Sequence, residues 1–567
     1  LDWNVFKGFT AHVDYALSFS NYFQKRADTP TGAAYDFQTG KDIGRYYVAD
    51  NVGVSDNNTT NYKTQLNGRL QYETTIAQNH NIGAMFVYSE EYWHTRSTGA
   101  SRNDRIHPST SEINSALTNV QSNSGSSASE GLRSYIGRMN YSAYDKYLLE
   151  FSFRVDGSSK FIKGHQYGFF PTVAVGWRFT EEEFLKKYLS SWLSSGKLRA
   201  SWGKLGDNSG VGRFEQLETL TAMNYMSSDV VKGFVNKKMI NKDLSWEVST
   251  DINVGLDLGF LNNRLRTEID FYNRLRTGMN RPSQMSIHLT GAYSAPRANI
   301  GDLLNRGLEL NLTWKDKIGN VEYSVNLNGA YNRTVLKEWN EFLSRGWVYL
   351  DMPYHFLYVY ENNGIAQTWQ DIYNNTPQGL SPGDVIRKDL NGDGIIDGKD
   401  KKAYPNIQRD RPTTTYGITL QAAWKGFDIS MLFNGGLGRK DFWLTDFNNT
   451  AFADRRYAST WDHWTEPWSL ENRGGEWPRL GTSTDRSDNS YWLYNMNYLR
   501  MKNIMLGYNL PKKLLSKISM TNLRIYASAE NLFTVTQYPG LDPEKKNSAR
   551  DLYPINRSFS IGLNVSF

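Results

Sequence analysis

Apolar side chains recur at every second position through most of this sequence, and this period constrains the fold more than any other feature. The segments that show it most clearly are 9–20, 147–156, 246–258, 264–271, 308–314, 321–327 and 559–567. Because successive side chains of a β-strand point to opposite faces, the period predicts strands with one apolar and one polar face. The runs cover about 10 to 15 residues, which is longer than most strands of soluble sheets. It is also the length that a tilted strand needs to cross a bilayer.

The composition fits two-faced strands and excludes several other classes of protein. The 567 residues include 17 Trp, 35 Tyr and 27 Phe, yet the mean hydropathy is −0.59, and no apolar run is long enough for a transmembrane helix. The absence of cysteine excludes disulfides, thiol catalysis and zinc–thiolate sites. A net charge of +6 from 64 basic and 58 acidic residues is too dilute to indicate a nucleic-acid partner. A soluble sandwich or propeller also has alternating strands, but the strand length and the aromatic residues at strand ends favour a membrane barrel.

The connections between the predicted strands alternate between two kinds. The tight ones are Lys7–Gly8, Asp145–Lys146, Asn262–Asn263 and Lys425–Gly426. The long polar ones are 24–60, 94–131, 204–244, 276–305, 334–412 and 436–496. Transmembrane β-barrels show the same asymmetry, with short periplasmic turns and long extracellular loops.

The direction of the predicted strands bears on the size of the barrel. Following the alternation gives about 17 strands, and both the first and the last of them run inward. A closed barrel whose termini share one side needs an even number of strands. We therefore expect outward-running sequence before Leu1 and interpret residues 1–567 as the C-terminal part of a larger antiparallel barrel.

Several stretches resemble the SusC/RagA-type TonB-dependent outer-membrane transporters of Bacteroidetes. The similar stretches are Arg138–Phe161, Gly168–Trp177, Lys197–Gly203, Trp246–Tyr272, Tyr498–Tyr508 and Leu523–Leu532. The resemblance implies an all-β, 22-stranded barrel of which this chain would supply about the last 16–17 strands, with the plug and the TonB box upstream. It also implies a barrel embedded in the lipid of the outer membrane that imports oligosaccharide or peptide. Its partners would be a SusD-like surface lipoprotein, which acts as a lid, and the TonB complex, which supplies the energy.

The sharpest local motif is an acidic loop within the 334–412 connection. Asp389, Asn391, Asp393, Asp397 and Asp400 occupy positions 1, 3, 5, 9 and 12, with Gly394 at position 6 and the backbone carbonyl of Ile395 at position 7. This is the ligand spacing of an EF-hand calcium loop, which must supply six to eight oxygen atoms. Asp400 replaces the usual glutamate, and no amphipathic helices flank the loop. The spacing predicts a structural Ca²⁺ site, while a cluster of Asx turns in a surface loop is the alternative.

The 436–496 connection is rich in tryptophan. It contains Trp443, Trp461, Trp464, Trp468, Trp477 and Trp492 beside acidic and asparagine residues. Aromatic faces stack on sugar rings and Asp, Asn and Arg bond hydroxyl groups, so a saccharide site is one interpretation. The same side chains could instead pack the loop together. Trp443 and Trp461 are the candidates for ligand contact.

Enzymatic interpretations find little support in the sequence. The eight histidines form no HExxH spacing, no G-x-S-x-G elbow occurs, and the segment 203–210 lacks the residue order of a phosphate-binding loop. On the wall strands, Glu150, Asp156 and Asp251 are most simply interpreted as lining a wet lumen. The sequence therefore predicts a transporter and no enzyme.

Two other classes remain open from the sequence. A siderophore or cobalamin receptor of the same barrel size is disfavoured by the SusC-like strands and the very long loops. A secreted carbohydrate-binding or glycosidase β-protein would be soluble without detergent and would show no heat-modifiable mobility on a gel. The identity of the substrate depends on loop geometry and on a partner outside this chain.

Overall fold

The computed structural model is almost entirely β-structure. It describes residues 1–27, 33–36, 41–45, 53–103, 105, 110–117, 121–189, 192–226, 230–236, 238–290, 294–340, 349–354, 356–442, 466–479, 489–515, 520–545 and 554–566. The first strands are β1 Asp2–Phe6, β2 Phe9–Ala27, β3 Ala33–Asp36, β4 Lys41–Arg45, β5 Val54–Ile76, β6 His80–Arg102, β7 Gln121–Ala143, β8 Tyr147–Ser158, β9 Tyr167–Trp177, β10 Leu193–Asp207, β11 Leu220–Met226, β12 Val230–Asn236, β13 Glu247–Phe260, β14 Leu265–Thr277, β15 Asn280–Pro282 and β16 Arg297–Asn299.

The remaining strands belong to the second half of the chain. They are β17 Asp302–Ile318, β18 Val321–Glu338, β19 Phe356–Tyr360, β20 Asn362–Ile365, β21 Val385–Arg387, β22 Lys401–Gln408, β23 Thr414–Trp424, β24 Phe427–Leu437, β25 Lys440–Phe442, β26 Leu493–Asn495, β27 Tyr498–Asn509, β28 Asn522–Thr536 and β29 Ser558–Ser566. The α-helices are short: α1 Glu183–Leu189, α2 Ile287–Thr290, α3 Trp369–Tyr373 and α4 Lys512–Leu515. No helix in the described ranges has both the length and the apolar character that a membrane span requires.

Seventeen of the strands form one large sheet, as the strand count from the sequence predicts. The chain divides into two compact units, one of residues 1–174, 203–249 and 277–300 and one of residues 175–202, 250–276 and 301–567. In the first unit, β2, β5, β6, β7 and β8 pair in that order, each antiparallel to the next. In the second, β14, β17, β18, β23, β24, β27, β28 and β29 do the same. The predicted antiparallel architecture is confirmed.

The two faces of the second unit's sheet differ as the alternating pattern predicts. Leu310 on β17 is 38% exposed and lies opposite Ile269 on β14 and Gly329 on β18. The next residue, Asn311, faces the other way: its amide oxygen accepts from Asn326 (2.7 Å) and its amide nitrogen donates to Glu268 (3.2 Å). An apolar face that stays exposed beside a hydrogen-bonded polar face is the arrangement of a wall between lipid and water.

The predicted tight turns are present. Strand β1 ends at Phe6 and β2 begins at Phe9, so that Gly8 forms the turn with a φ of 84°. Asn262 and Asn263 both have a φ near 60° between β13 and β14, a left-handed backbone that asparagine tolerates better than most residues. Turns as short as these lie on the periplasmic side in transmembrane β-barrels.

The length of the strands in the first unit differs from the prediction. Strands β5, β6 and β7 each contain 23 residues, so much of the predicted connections 24–60 and 94–131 is strand. The first seven residues of β7, the serine-rich run 121–127, are exposed on both faces. Alternation arises only where one face meets an apolar environment, and periodicity therefore cannot detect a ladder that has water on both sides.

Candidate functional site

The segment between β18 and β23 folds into a small layered structure that positions the candidate residues. Strands β19 and β22 pair antiparallel, and so do β20 and β21. Leu357 and Val359 of β19 are buried against Phe442 of β25 and against Trp492, with Tyr404 packed beside them. This apolar cluster joins the connection between β18 and β23 to the connection between β24 and β27, because each contributes buried side chains to it.

The tryptophans of the second connection have packing roles wherever the structure describes them. Trp492 is fully buried in the apolar cluster. Trp468 is nearly buried, and its indole N–H donates to the side-chain oxygen of Gln367 at 2.9 Å. Nearby, Arg479 donates to the buried carboxylate of Asp384 at 2.8 Å. Trp468 and Trp492 therefore fit the interpretation in which the tryptophans pack the loops together.

The two tryptophans predicted to contact ligand, Trp443 and Trp461, lie outside the described residues, as does Trp464. Their assignment stays a prediction.

The acidic loop lies between β21 and β22 and is built from Asx turns. The Asp389 carboxylate accepts from the backbone N–H of Gly392 (2.6 Å) and of Gly394 (2.9 Å). Asn391 accepts from the N–H of Asp393, and Asp393 from the N–H of Ile395. Gly392 and Gly394 have φ values of 74° and 80°, which glycine adopts without strain.

Asp400 closes this loop from the inside. Its carboxylate is fully buried and accepts backbone N–H bonds from Leu390 (2.9 Å) and Asp397 (2.8 Å), so that one side chain bonds both ends of the loop. The bond from Asp397, with further N–H bonds from Leu390 and Asn391, holds the pKa of the Asp400 carboxyl below its usual value. Asp400 therefore remains ionised at neutral pH, where it acts as a structural anion.

The oxygen donors of this loop are the kind that calcium binds. In the structure, however, these oxygen atoms do not surround a common centre. Oxygen donors stand at Asp389, Asn391, Asp393, Asp397 and Asp400, but most of them bond backbone N–H groups of the same loop. The Lys399 ammonium lies 3.9 Å from both Asp393 and Asp397. Across the described part of the chain, no three His, Cys, Asp or Glu side chains are close enough together to hold a metal ion.

A second group of charged residues, which sequence reasoning missed, is buried at the base of the same loops. Arg439 is 1% exposed. Its guanidinium donates to the backbone carbonyls of Arg409 (3.0 Å), Pro543 (3.0 Å), Glu544 (3.1 Å) and Lys545 (3.2 Å). It also lies 3.5 Å from the buried carboxylate of Asp441. One side chain thus fastens the segment that follows β28 to the segment that follows β24.

Arg500 on β27 reinforces this connection. It forms ion pairs with Asp542 and Glu544, each at 2.9 Å, and both Arg500 and Asp542 are almost fully buried. No sequence signal distinguishes these arginines, because a buried arginine and an exposed one look alike in a charge pattern. We call Arg439, Asp441, Arg500, Asp542 and Glu544 the loop anchor.

Comparison with known proteins agrees with this architecture. The sequence model of the family described as "TonB dependent receptor-like, beta-barrel" matches residues 1–378. TonB-dependent receptor P3 of Formosa agariphila is 28% identical over 98% of this chain and 59% of its own length. TonB-dependent receptor SusC of Bacteroides thetaiotaomicron is 28% identical over 99% of this chain and 56% of its own length. The chain therefore spans less than two thirds of the curated relatives it matches.

A solved structure supports the fold. The structure of the RagAB peptide transporter matches with a TM-score of 0.83 at 22% identity, over 100% of this chain and 61% of that one. At this identity the likeness concerns the fold alone, and it agrees with the paired strands described above. The strand pattern, the family match over two thirds of the sequence and this structural likeness lead to one conclusion: the chain belongs to the TonB-dependent receptor-like β-barrel family of the bacterial outer membrane, whose members cross the membrane with strands.

Proposed function

We propose that this chain forms wall strands and extracellular loops of a TonB-driven importer that takes up oligosaccharide or peptide together with a SusD-like surface lipoprotein. The observation that carries the proposal is a sheet with an exposed apolar face and a hydrogen-bonded polar face, in a chain of the TonB-dependent receptor family. The similarity to the TonB-dependent receptor SusC supports a transporter of this type, and the fold shared with the RagAB peptide transporter supports peptide as one of the substrate classes. In this proposal the lipid-facing residues anchor the wall and the polar face lines the path of the substrate.

The wall carboxylates support a transporter without catalysis. Three carboxylates of the wall strands, Glu150, Asp156 and Asp251, each form an ion pair with an arginine. The pairs are Glu150–Arg138 (2.7 Å), Asp156–Arg154 (3.0 Å) and Asp251–Arg274 (2.5 Å). A carboxylate that bonds a neighbouring guanidinium is accounted for by that contact and needs no catalytic role. Lining a water-filled passage is the simpler role for these residues.

Deleting the gene of the whole receptor is expected to abolish uptake of one class of labelled oligosaccharide or peptide, and the wild-type gene should restore it. Uptake should also stop when the proton gradient is collapsed or TonB is deleted, because the outer membrane has no energy source of its own. A tagged receptor extracted in mild detergent should carry a surface lipoprotein, which mass spectrometry would identify. Uptake that continues without TonB would rule out the importer.

We also propose that the acidic loop Asp389–Asp400 binds Ca²⁺ as a structural staple. The oxygen donors, their spacing and the glycine turns support this, although the side chains would have to converge around the ion. Asp389, Asn391, Asp393, Asp397 and Asp400 would supply side-chain oxygens, and Ile395 its carbonyl. The ion would neutralise carboxylates that otherwise repel one another.

Calcium at about 100 times its Kd is expected to stabilise the loop by about 2.7 kcal/mol. Proteolysis between β21 and β22 should therefore slow in Ca²⁺ and quicken in a chelator, and Asp393→Ala should remove the difference. Glu471→Gln, which removes one negative charge from an exposed position, serves as the matched control and should keep it. The site would be contradicted if elemental analysis found no calcium in the purified receptor and a chelator did not change the rate of proteolysis.

A further inference from the structure

The stretch 362–383, which includes α3, is almost free of charge in a chain where 22% of residues are charged. Its single ionised side chain is Asp371, and its polar character comes from amides and hydroxyl groups instead. The amides include Asn363, Gln367, Gln370, Asn374, Asn375 and Gln378. A neutral, amide-rich surface next to segments as charged as 384–402 indicates a ligand that is polar but uncharged.

The one charge in this stretch is used internally. Asp371 caps the start of α3: its carboxylate accepts from the backbone N–H of Gln367 (2.9 Å) and of Thr368 (2.8 Å). The Thr368 side chain in turn accepts from the N–H of Asp371, which completes a capping box. The backbone bond from Thr368 is the main cause that keeps the pKa of Asp371 below its usual value. Asp371 is therefore committed to the helix.

Contacts on both sides hold α3 in place. The Gln367 side-chain oxygen accepts from the indole of Trp468 (2.9 Å) and from the backbone N–H of Gly474 (2.8 Å). After the helix, the Gln378 side chain exchanges two hydrogen bonds with the backbone of Arg387 (2.8 and 3.0 Å). A five-residue helix is thereby fixed at its entry and its exit, so its outer face is presented in one orientation.

That outer face carries two large aromatic side chains that nothing in the described residues covers. Trp369 is 56% exposed and Tyr373 is 78% exposed. They are four residues apart and so lie on the same side of the helix. The adjacent row consists of Gln370 and Asn374, also exposed, whose amides share a hydrogen bond of 2.9 Å. Two aromatic faces thus lie beside two amides that can both donate and accept.

We propose that Trp369 and Tyr373, flanked by Gln370 and Asn374, bind a neutral saccharide chain at the outer surface of the receptor. The apolar faces of pyranose rings can stack on the two aromatic side chains while the amides bond the ring hydroxyls. Anionic ligands and membranes need cations that this stretch lacks. Protein interfaces favour arginine beside their aromatic residues, and the stretch has none. The fixed helix lowers the entropy cost of binding, which suits a shallow site.

The inference names the substrate class and in that sense rests on the proposed importer, but binding can be measured without transport. The experiment uses the whole receptor in detergent and a panel of neutral oligosaccharides: maltohexaose, cellohexaose, laminarihexaose, xylohexaose and mannohexaose. At least one of them should bind the wild type. The double variant Trp369→Ala/Tyr373→Ala should weaken that binding by about tenfold or more, whereas Tyr373→Phe should change it little, since a phenyl ring still stacks.

A matched control separates this site from the general effect of removing an exposed aromatic side chain. Tyr188→Ala removes an equally exposed aromatic side chain from α1 and should leave saccharide binding unchanged. Binding of no member of the panel, or unchanged affinity in the double variant, would overturn the proposal. A double variant that loses a co-purifying lipoprotein but keeps saccharide binding would assign the face to a protein partner and also overturn it. TonB-dependent uptake of peptide alone, without saccharide binding, would leave the importer standing and remove only this site.

Discussion

Replacing Arg439 with methionine is expected to loosen the attachment of residues 538–545 to the segment that follows β24, at a local cost of about 3–5 kcal/mol. The guanidinium bonds four backbone carbonyls, and three of them belong to consecutive residues, Pro543 to Lys545. Methionine fills the space but leaves these carbonyls without their donors and the buried Asp441 with less compensation. Hydrogen–deuterium exchange of peptides that cover 538–545, measured on the whole receptor in detergent, should show that protection is lost there.

The neighbouring residue supplies the control for this prediction. Lys440→Met removes one positive charge from a partly exposed position and should leave exchange in 538–545 unchanged. Arg439→Lys keeps the charge but cannot bond four carbonyls at once, so an intermediate effect is expected. Equal protection in Arg439→Met and in the wild type would show that the segment does not depend on Arg439.

Introducing lysine at Leu310 is expected to destabilise the barrel by about 2–4 kcal/mol, because the side chain would lie in the hydrocarbon region of the bilayer. Lysine at Asn311, the next residue on β17, should cost far less because that side chain lies on the polar face with Glu268 and Asn326. The measurement is urea unfolding of the whole receptor folded in lipid vesicles, followed by heat-modifiable mobility on a gel.

The two substitutions place the same charge on opposite faces of β17. Similar destabilisation by both would contradict the assignment of the lipid face. A larger effect at Asn311 than at Leu310 would reverse it. Because both variants carry the same added charge at adjacent positions, effects on expression or net charge cancel in the comparison.

The sequence was sufficient for those features that repeat along the chain. The alternation around Leu310 and Asn311 identifies the two faces of β17, and the asparagines at 262–263 identify a tight turn, because both follow from local backbone geometry. The period failed at the polar start of β7, where the residues of both faces are exposed. There the backbone ladder continues without any side-chain pattern that could reveal it.

The candidate site was less predictable because its residues serve more than one purpose. Trp468 and Trp492 are of the residue type expected at a sugar-binding site. In the structure they instead pack the loops against one another. The ligand spacing of the acidic loop was readable, whereas the burial of Asp400 and its bonds to both ends of the loop depend on tertiary structure. Arg439 and Arg500 could not be singled out, since their partners other than Asp441 lie between 30 and 106 residues away along the chain.

The long polar strands of the first unit have a consequence for conformational entropy. An ordered sheet with water on both sides gains little from burying side chains, so it persists only if ordering those side chains costs little. The run 121–131 meets this condition, since it consists mostly of serine with glycine, alanine and asparagine, whose short side chains have few rotamers to lose. The same composition provides no row of apolar side chains through which this run could aggregate with another strand. Its stiffness therefore comes from the backbone ladder alone, and larger flexible side chains there would loosen the strand even where they created new contacts.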